Sequence, residues 1–180
     1  LVFTGLRRSE VVGLTWDCID FEKGYIKVYR QYIRSTDLPG HPLQFMTLKN
    51  GKTRTFKVAE SVIELLLSIK EKQDSLSASP DYSNEEGFVF ASDNGTHLYS
   101  DTVYRAFKRI AASIDMPTLR LHDLRHTFAT LSIQNGTDIK TVSTTLGHAT
   151  AAYTLDIYTH VSEIMQNDAA SRMDSLIQNL

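Results

Sequence analysis

The segment HDLRHTFAT, residues 122–130, gathers two imidazoles and one guanidinium within five positions: His122, Arg125 and His126. Side chains of these types hold either a metal ion or an anion. The two histidines are spaced i, i+4, which on a helix is the geometry of a zinc-binding pair. The glutamate of an HExxH motif is absent, however, and the permanently charged guanidinium of Arg125 would repel a dication. We therefore expect an anion here rather than a metal.

A phosphate group fits the residues around this segment. His122 and Arg125 are spaced i, i+3 and share one helix face, and the planar fork of an arginine matches two phosphate oxygens. A second fork is available from Arg7 or Arg8. Two guanidiniums, a lysine and histidines stabilise a phosphate whose charge grows during a reaction, and this chemistry needs no metal or other cofactor. Further cations lie near residue 50, namely Lys49, Lys52 and Arg54.

Charge is distributed unevenly along the chain. The formal net charge of −2 argues, taken alone, against a nucleic-acid partner. Residues 1–58, however, carry 10 Lys/Arg against 5 Asp/Glu, and residues 99–148 carry 6 against 4. Positive charge therefore occupies two blocks of the chain, as expected if both fold onto one anion-binding face. Random scatter over a mixed surface explains the charge alone equally well.

The elements predicted around these residues give an α+β fold that is mainly α-helical, with a small three-stranded antiparallel sheet near the N-terminal side. Residues 25–33 are rich in β-branched and aromatic side chains and form the first strand. Asn50 and Gly51 are a hairpin signal, so residues 43–49 and 53–58 are expected to pair as the other two strands. A further short strand fits residues 88–92. Helices are predicted over 9–16, 59–73, 102–114, 122–136, 137–148, 150–160 and 162–178.

The composition is that of a globular protein that buries a core, with 42% hydrophobic and 22% charged residues. No stretch approaches the about 18 apolar residues of a membrane span, so we expect no membrane partner. The single cysteine, Cys18, is typical of a reducing compartment and predicts a cytoplasmic protein. The chain begins in apolar sequence without an initiator methionine, so we expect further sequence to precede it.

Five motifs occur in the order seen in tyrosine recombinases, the phage-integrase family: TGLRRSE at 4–10, TLKNGKTR at 47–54, HDLRHTFAT at 122–130, LGH at 146–148 and TLDIYTH at 154–160. The resemblance runs from residue 4 to about residue 161. Within the family, the sequence is most similar to integrases of bacterial phages and conjugative transposons. It implies that residues 1–180 are the catalytic domain, with 1–161 as its core and 162–180 as a C-terminal helix. The N-terminal DNA-binding part would belong to the absent sequence.

Six residues match the catalytic positions of this family, and the resemblance implies their roles. The two arginines hold the nonbridging oxygens of the scissile phosphate, the lysine protonates the departing 5′ oxygen, the first histidine assists proton transfer, and the tyrosine is the nucleophile. Tyr153 is a rival nucleophile, but the T-x-x-x-Y-x-H spacing of residues 154–160 favours Tyr158. The six residues are Arg7, Lys49, His122, Arg125, His148 and Tyr158.

Other residues receive supporting roles. Glu10 matches the acidic residue that braces the site, although a carboxylate in the first turn of a helix also has a purely structural interpretation. The turn near residue 50 varies in length across the family, which leaves Lys52 as a second candidate for the lysine. His126 and His160 match no catalytic position and are interpreted as structural or DNA-proximal. Residues expected near the DNA backbone are Arg8, Lys52 and Arg54.

The resemblance implies site-specific DNA recombination, the integration or excision of a mobile element, through a 3′-phosphotyrosyl intermediate and without metal or ATP. The implied partners are double-stranded DNA, other protomers in a tetramer on paired DNA sites, and accessory proteins that bend DNA or set the direction. Helix 162–178 either packs on its own core or docks on a neighbouring protomer. The alternatives are a type IB topoisomerase, which acts alone, and a non-catalytic DNA-binding module, against which the six intact positions argue.

Overall fold

A computed structural model describes residues 1–35, 37–40, 42–49, 51–147, 170–171 and 173–178. Residues 170–171 and 173–178 are helical. None of the helices within these ranges is long and apolar enough to cross a membrane. The remaining elements are α1 (Arg8–Val12), a 3-10 turn (Trp16–Cys18), β1 (Ile19–Asp20), β2 (Tyr25–Val28), β3 (Arg30–Arg34), β4 (Leu43–Thr47), β5 (Arg54–Lys57), α2 (Glu60–Leu76), α3 (Ser100–Ser113), α4 (Asp123–Gln134) and α5 (Ile139–Leu146).

Residues 25–34 run as two consecutive strands that pair with different partners. β2 pairs with β5 in a three-stranded antiparallel sheet of order β1-β2-β5, and β3 pairs with β4 in a separate two-stranded sheet. The predicted α+β class and the small antiparallel sheet near the N-terminal side are confirmed. The membership of the sheet differs, because the strand predicted over 25–33 divides at Tyr29 and β1 supplies the third strand.

The predicted pairing of residues 43–49 with residues 53–58 is wrong. β4 and β5 both pair with the preceding segment rather than with each other, since Thr47 lies opposite Arg30 and Arg54 lies opposite Val28. In the chain segment that carries β2 and β3, only Tyr29 lies between the two sets of paired residues. In the segment that carries β4 and β5, residues 48–53 lie between them. The segment 48–53 therefore leaves the ladder as a loop, which we call the lysine loop.

The turn that the sequence predicted at Gly51 lies inside the lysine loop. Gly51 has a φ of +65° and its N–H donates to the carbonyl of Leu48 at 2.8 Å. Leu48 is buried, whereas the following Lys49 is exposed. The glycine turn that predicted a hairpin therefore lies within the lysine loop. It leaves Lys49 exposed between β4 and β5.

The strand predicted over 88–92 is reduced to isolated antiparallel bridges, one of them Thr15↔Phe88. Side chains replace the partner strand here. The amide of Asn84 accepts from the N–H of Phe88 at 2.8 Å, and Gln73 on α2 donates to the carbonyl of Val89 at 2.9 Å. Backbone groups that a longer ladder would pair are satisfied by these two amides.

The helices predicted over 59–73, 102–114, 122–136 and 137–148 correspond to α2, α3, α4 and α5, and residues 9–16 contain the shorter α1. α5 begins as predicted, with the Asp138 carboxylate accepting from the N–H of Thr141 at 2.9 Å. It ends as predicted at Gly147, whose φ of +63° is left-handed. Residues 150–160 and 162–169 lie outside the described residues.

Two buried clusters form the core, and the segment before α1 connects them. The larger cluster joins the three-stranded sheet to α2 through Ile26, Val28, Phe56, Ile63 and Leu66, and it includes Leu6. The smaller cluster lies between α4 and α5 and consists of Ala129, Ile133, Val142 and Leu146. Gly5, next to Leu6, lies so near Leu146 of the smaller cluster that an added side chain would overlap it.

Gly5 occupies a position that no other residue type fits. Its φ is +61°, and a Cβ built on it would lie 2.5 Å from Cδ2 of Leu146 and 2.6 Å from Cδ1 of Phe128. Both the left-handed conformation and the close approach therefore require glycine. The backbone before α1 can reach α5 only because this side chain is absent.

We expect Gly5→Ala to lower the free energy of unfolding by the cost of a left-handed alanine, about 1 kcal/mol, plus about 1–3 kcal/mol for overpacking. Gly136→Ala is the matched control, since Gly136 has a φ of +85° and a Cβ added there would meet no heavy atom within 4 Å. Urea unfolding of both variants measures the difference. Equal losses for the two variants would show that the contact with α5 contributes nothing.

Candidate active site

The segment TGLRRSE places Arg7 at the start of α1 and folds its side chain back on the first turn. Arg7 is the N-cap residue, with extended backbone angles. Its backbone N–H donates to Oε2 of Glu10 at 2.7 Å, and its Nη1 donates to Oε1 of Glu10 at 2.9 Å. Glu10, three positions on, therefore satisfies an unpaired helix-start N–H and fixes the arginine side chain at once.

Glu10 is shared with a second arginine from a distant strand. Its side chain is buried, and Arg54 on β5 donates Nη1 to Oε1 at 3.0 Å and Nη2 to Oε2 at 2.7 Å. Burial alone would raise the pKa of the Glu10 carboxyl, but the hydrogen bonds and charge of Arg54, followed by those of Arg7, lower it below its usual value. Glu10 is therefore an ionised carboxylate between two guanidiniums.

Three arginines converge on the last carbonyls of α5. Nε of Arg54 donates to the carbonyl of Thr145 at 2.7 Å, Arg125 donates Nη2 to the carbonyl of Leu146, and Nη2 of Arg7 donates to the carbonyl of Gly147 at 3.2 Å. Carbonyls at the C-terminal end of a helix form the negative end of its dipole and attract cations. The end of α5 thus orients cations that start from α1, β5 and α4.

Arg125 also holds the segment before α1. Its Nη1 donates to the carbonyl of Gly5, and the residue is buried. Arg7 and Arg125 therefore bind adjacent carbonyls at the end of α5, although they are 118 positions apart in the sequence. The convergence of these two guanidiniums, which the motifs predicted, is present in the structure.

A cavity of about 320 Å³ opens beside this cluster. Its lining includes three residues that the sequence predicted to be catalytic and one that the sequence predicted to contact the DNA backbone. The residues that line it are Leu1, Leu6, Arg7, Arg8, Tyr104, Leu121, His122 and Arg125. Its volume and its cationic walls suit one phosphodiester group and the sugars beside it.

His122 lies at the start of α4, in surroundings that favour its neutral form. It is the N-cap residue of α4, and its ring lies 4.9 Å from that of His126, centroid to centroid. Burial lowers the pKa of His122 below its usual value, and the positive charges of His126 and Arg125 act in the same direction. A neutral imidazole can accept a proton, which suits the predicted assistance at a phenol.

The other predicted residues are distributed differently. Lys49 and Lys52 are exposed on the lysine loop and are not among the described residues that line the cavity. Arg54, which the sequence placed near the DNA backbone, is buried with its guanidinium on Glu10, so we assign it to the protein interior instead. His148 and Tyr158 lie outside the described residues, as do Tyr153 and His160.

Tyr104 on α3 lines the cavity although its sequence context predicts no role for it. Neither its spacing nor its neighbours in the sequence signal this position, which depends on how α3 packs beside α1. Tyr29 is a contrasting case. Burial and the hydrogen bond that its hydroxyl donates to Asp17 raise the pKa of Tyr29 to about 12, so it is unsuited to nucleophilic attack.

Within the described ranges, no group of three or more His, Cys, Asp or Glu side chains is arranged to hold a metal ion. The histidines at the cavity instead neighbour arginines. Arg125 contributes to the lowered pKa of His122, as would be expected of a cationic neighbour. The donor set around the cavity is therefore one for an anion.

Known proteins similar to this chain cover almost all of it. Residues 1–164 match the phage integrase family. A XerC-like tyrosine recombinase of Caldanaerobacter subterraneus subsp. tengcongensis is 32% identical over 183 residues, which cover 96% of this chain and 47% of the relative. The ICEBs1 integrase of Bacillus subtilis is 29% identical over 180 residues, covering 97% of this chain and 46% of the relative. The chain spans about half the length of these curated relatives.

Solved structures share the architecture. The Tn1549 transposon integrase in complex with transposon right end DNA superposes with a TM-score of 0.76 at 26% identity, covering 98% of this chain and 56% of that one. The catalytic domain of bacteriophage HP1 integrase, at 20% identity, has a TM-score of 0.54 over 88% of this chain and 69% of that one. The second likeness concerns the fold alone.

The shared carboxylate predicts an acid-sensitive contribution to stability. The folded-state pKa of Glu10 lies below its unfolded value of about 4.3, so its contribution is complete above that pH and is lost as the pH falls through the folded pKa. We expect Glu10→Gln to lower the free energy of unfolding at pH 7 by about 3 kcal/mol. The difference from the wild type should shrink below about pH 4.

Urea unfolding at a series of pH values measures this effect. Glu64→Gln, which removes an exposed carboxylate on α2, is the control and should stay within about 0.5 kcal/mol of the wild type. A difference between Glu10→Gln and wild type that does not change from pH 7 to pH 3 would contradict a charged Glu10.

Proposed function

Since the chain belongs to the phage integrase family, we propose that the protein performs site-specific DNA recombination, cutting and rejoining strands through a covalent 3′-phosphotyrosyl intermediate. The observation that carries this proposal is the convergence of Arg7, His122 and Arg125 on one cavity, where both guanidiniums bind adjacent carbonyls at the end of α5. Such preorganised cations stabilise the charge that develops on a phosphate under attack.

The cleavage step needs a nucleophile, a base, an acid and a charge clamp. In our proposal, the Tyr158 hydroxyl attacks phosphorus and its proton passes to the neutral imidazole of His122. The bond from phosphorus to the 5′ oxygen breaks, and Lys49 protonates that oxygen. Arg7 and Arg125 neutralise the nonbridging oxygens meanwhile. Loss of one such clamp raises the barrier by about 3 kcal/mol, roughly a hundredfold in rate.

Rejoining uses the same groups in reverse. The 5′ hydroxyl of a different strand attacks the phosphotyrosine, and the phenol of Tyr158 leaves. One phosphodiester bond is formed for each one broken, so the cycle requires no ATP. His148 follows Gly147, whose carbonyl binds Arg7, and we assign it the role of the second histidine of the family.

Double-stranded DNA is the proposed substrate, as supported by the structural likeness to the DNA-bound Tn1549 integrase. Cations at the start of α1 and on the lysine loop would contact the DNA backbone: Arg8, Lys49 and Lys52. Contacts to phosphates release counterions, so DNA affinity should fall steeply as salt rises.

We further propose that residues 1–161 are the catalytic core and that the C-terminal helix docks on a neighbouring protomer. Met173, Leu176 and Ile177 are 58%, 62% and 62% exposed on this helix, which leaves an apolar stripe for a partner surface. The proposed assembly is a tetramer on paired DNA sites, with accessory proteins that bend the DNA or set direction. A protein that relaxed DNA alone, without pairing sites, would instead be a topoisomerase.

The nucleophile can be identified by comparing two tyrosines. We expect the full-length protein, mixed with genomic fragments of its source cell that have been nicked at random, to form covalent adducts that survive denaturing gels. Tyr158→Phe should abolish the adduct because phenylalanine carries no attacking oxygen. Tyr104→Phe, at a tyrosine that also lines the cavity, should keep it.

Sequencing the DNA ends in these adducts gives the cleaved site and a defined duplex for kinetic measurements. An adduct that persists in Tyr158→Phe and disappears in Tyr104→Phe would move the nucleophile to α3. Absence of any adduct with the wild-type protein would refute the proposed activity.

The general acid can be identified with a sulfur leaving group. Lys49→Ala should slow cleavage of the normal duplex by about 10²–10⁴-fold, since the 5′ oxygen leaves poorly without a proton. A duplex with sulfur in place of the bridging 5′ oxygen should be cleaved nearly as fast by Lys49→Ala as by wild type, because a thiol of pKa about 8.5 leaves unprotonated. Single-turnover rates on both duplexes provide the measurement.

Lys52→Ala is the matched variant on the same loop. It should weaken DNA binding but leave the ratio of the two cleavage rates unchanged. Selective recovery of Lys52→Ala on the sulfur duplex would instead assign the acid to Lys52.

A further inference from the structure

We propose that Arg54 is a positioning residue of the active site, which holds Glu10 from β5 while Arg7 holds it from α1, and which ties the end of α5 to the same carboxylate. This inference rests on the proposed recombinase function. Arg54 acts through Glu10 and α5, because it is not among the described residues that line the cavity.

The burial of Arg54 is the first support. Side chains of β5 alternate between buried and exposed, with Arg54 and Phe56 buried and Thr55 and Lys57 exposed. Arg54 thus occupies an inward position of the strand where an apolar residue would be usual, and only 7% of it is exposed. A cation at this depth requires compensation, and its partners reveal its role.

All three nitrogens of the Arg54 guanidinium donate hydrogen bonds to these partners. Nη1 and Nη2 form a fork onto both oxygens of Glu10, and Nε donates to the carbonyl of Thr145. The fork fixes the plane of the carboxylate as well as its distance. The same carboxylate oxygens accept the backbone N–H and Nη1 of Arg7, so the orientation of Arg7 depends on that plane.

Close packing at Gly147 is the second support. A Cβ built on Gly147 would lie 3.0 Å from Nη1 and 3.1 Å from Cδ of Arg54. The guanidinium therefore rests against the residue that ends α5 and that directly precedes His148 in the sequence. A change at position 54 shifts the support of Gly147, whose carbonyl binds Arg7.

Arg54 also ends the lysine loop. Leu48 is buried immediately before Lys49, and Arg54 is buried five positions after it. The loop that presents Lys49 is consequently attached at both ends to the interior, and one attachment is the ion pair itself. One side chain thus links the phosphate clamp, the end of α5 and the segment that carries the proposed acid.

Displacement of reacting groups by about 1 Å can cost about a hundredfold in rate. We expect Arg54→Lys to remain folded, because the positive charge beside Glu10 is kept, but to lose the fork and the Nε contact. Its single-turnover cleavage at saturating DNA should be about a hundredfold slower than that of wild type, with DNA affinity unchanged because Arg54 is buried.

The duplex for this experiment is the one recovered from adduct sequencing, used with the full-length protein. Lys57→Gln is the control, since it removes an exposed cation from the same strand and should cleave at the wild-type rate. A cleavage rate of Arg54→Lys equal to that of Lys57→Gln would overturn the positioning role.

A double variant separates positioning from stability. Arg54→Gln alone leaves Glu10 with one cation and should destabilise the fold, whereas Arg54→Gln combined with Glu10→Gln replaces the ion pair by two amides that can hydrogen-bond. Stability should then recover, while cleavage stays slow because both Arg54 and the carboxylate that orients Arg7 are absent. If cleavage recovers together with stability, Arg54 is only a structural residue.

Hydrogen exchange tests the geometry without any reaction. In Arg54→Lys, amides of the last turn of α5 should exchange faster than in wild type, because the tie from Nε to Thr145 is lost. Unchanged exchange in α5 would overturn the inference even if recombination is observed. Faster exchange in a protein whose wild type forms no DNA adduct would support the positioning geometry and refute the recombinase function.

Discussion

The buried carboxylate of Glu10 fixes the positions of the two arginines that bind it, Arg7 and Arg54. Glu10 is 1% exposed, and an unpaired charge at that depth costs several kcal/mol. The chain compensates it twice, with Arg7 from the same helix start and with Arg54 from a strand 44 positions away. Because two cations share one anion, the cluster keeps a net positive charge, to which Arg125 adds. A partly desolvated excess of positive charge is a site that a phosphate group completes.

The backbone at the end of α5 partly offsets this excess of positive charge. Three successive carbonyls, from residue 145 to residue 147, each accept from a different arginine. Such close approach of side chains to the main chain needs room, which two glycines provide. Gly5 lets the segment before α1 lie against α5, and Gly147 lets the guanidinium of Arg54 lie against the turn that ends the helix. The motif glycines therefore belong to the charge cluster as much as the arginines do.

The sequence predicted the α+β class, the resemblance to phage integrases and the meeting of Arg7 with Arg125, and all three are confirmed. These features depend on local periodicity or on motifs. The pairing of β4 and β5 was predicted wrongly, since an Asn-Gly turn is a local signal whereas the choice of partner strand is made by distant contacts. Arg54 was misplaced for a related reason: arginines are usually exposed, and alternation along a strand cannot show which face holds a carboxylate.

The chemistry of the cluster explains why an ion pair occupies a position suited to apolar packing. Apolar replacements of a buried ion pair are often neutral or stabilising, so stability is a weak reason for Arg54 and Glu10 to be charged. Orientation is a stronger one, because a fork on a carboxylate fixes angles that apolar contacts leave free. The fork of Arg54 fixes the carboxylate that Arg7 binds, whereas Lys49 is exposed on the lysine loop. In the proposed mechanism, fixed cations would hold the phosphate and an exposed lysine would protonate the departing oxygen, since the charge develops at one place while the proton must travel.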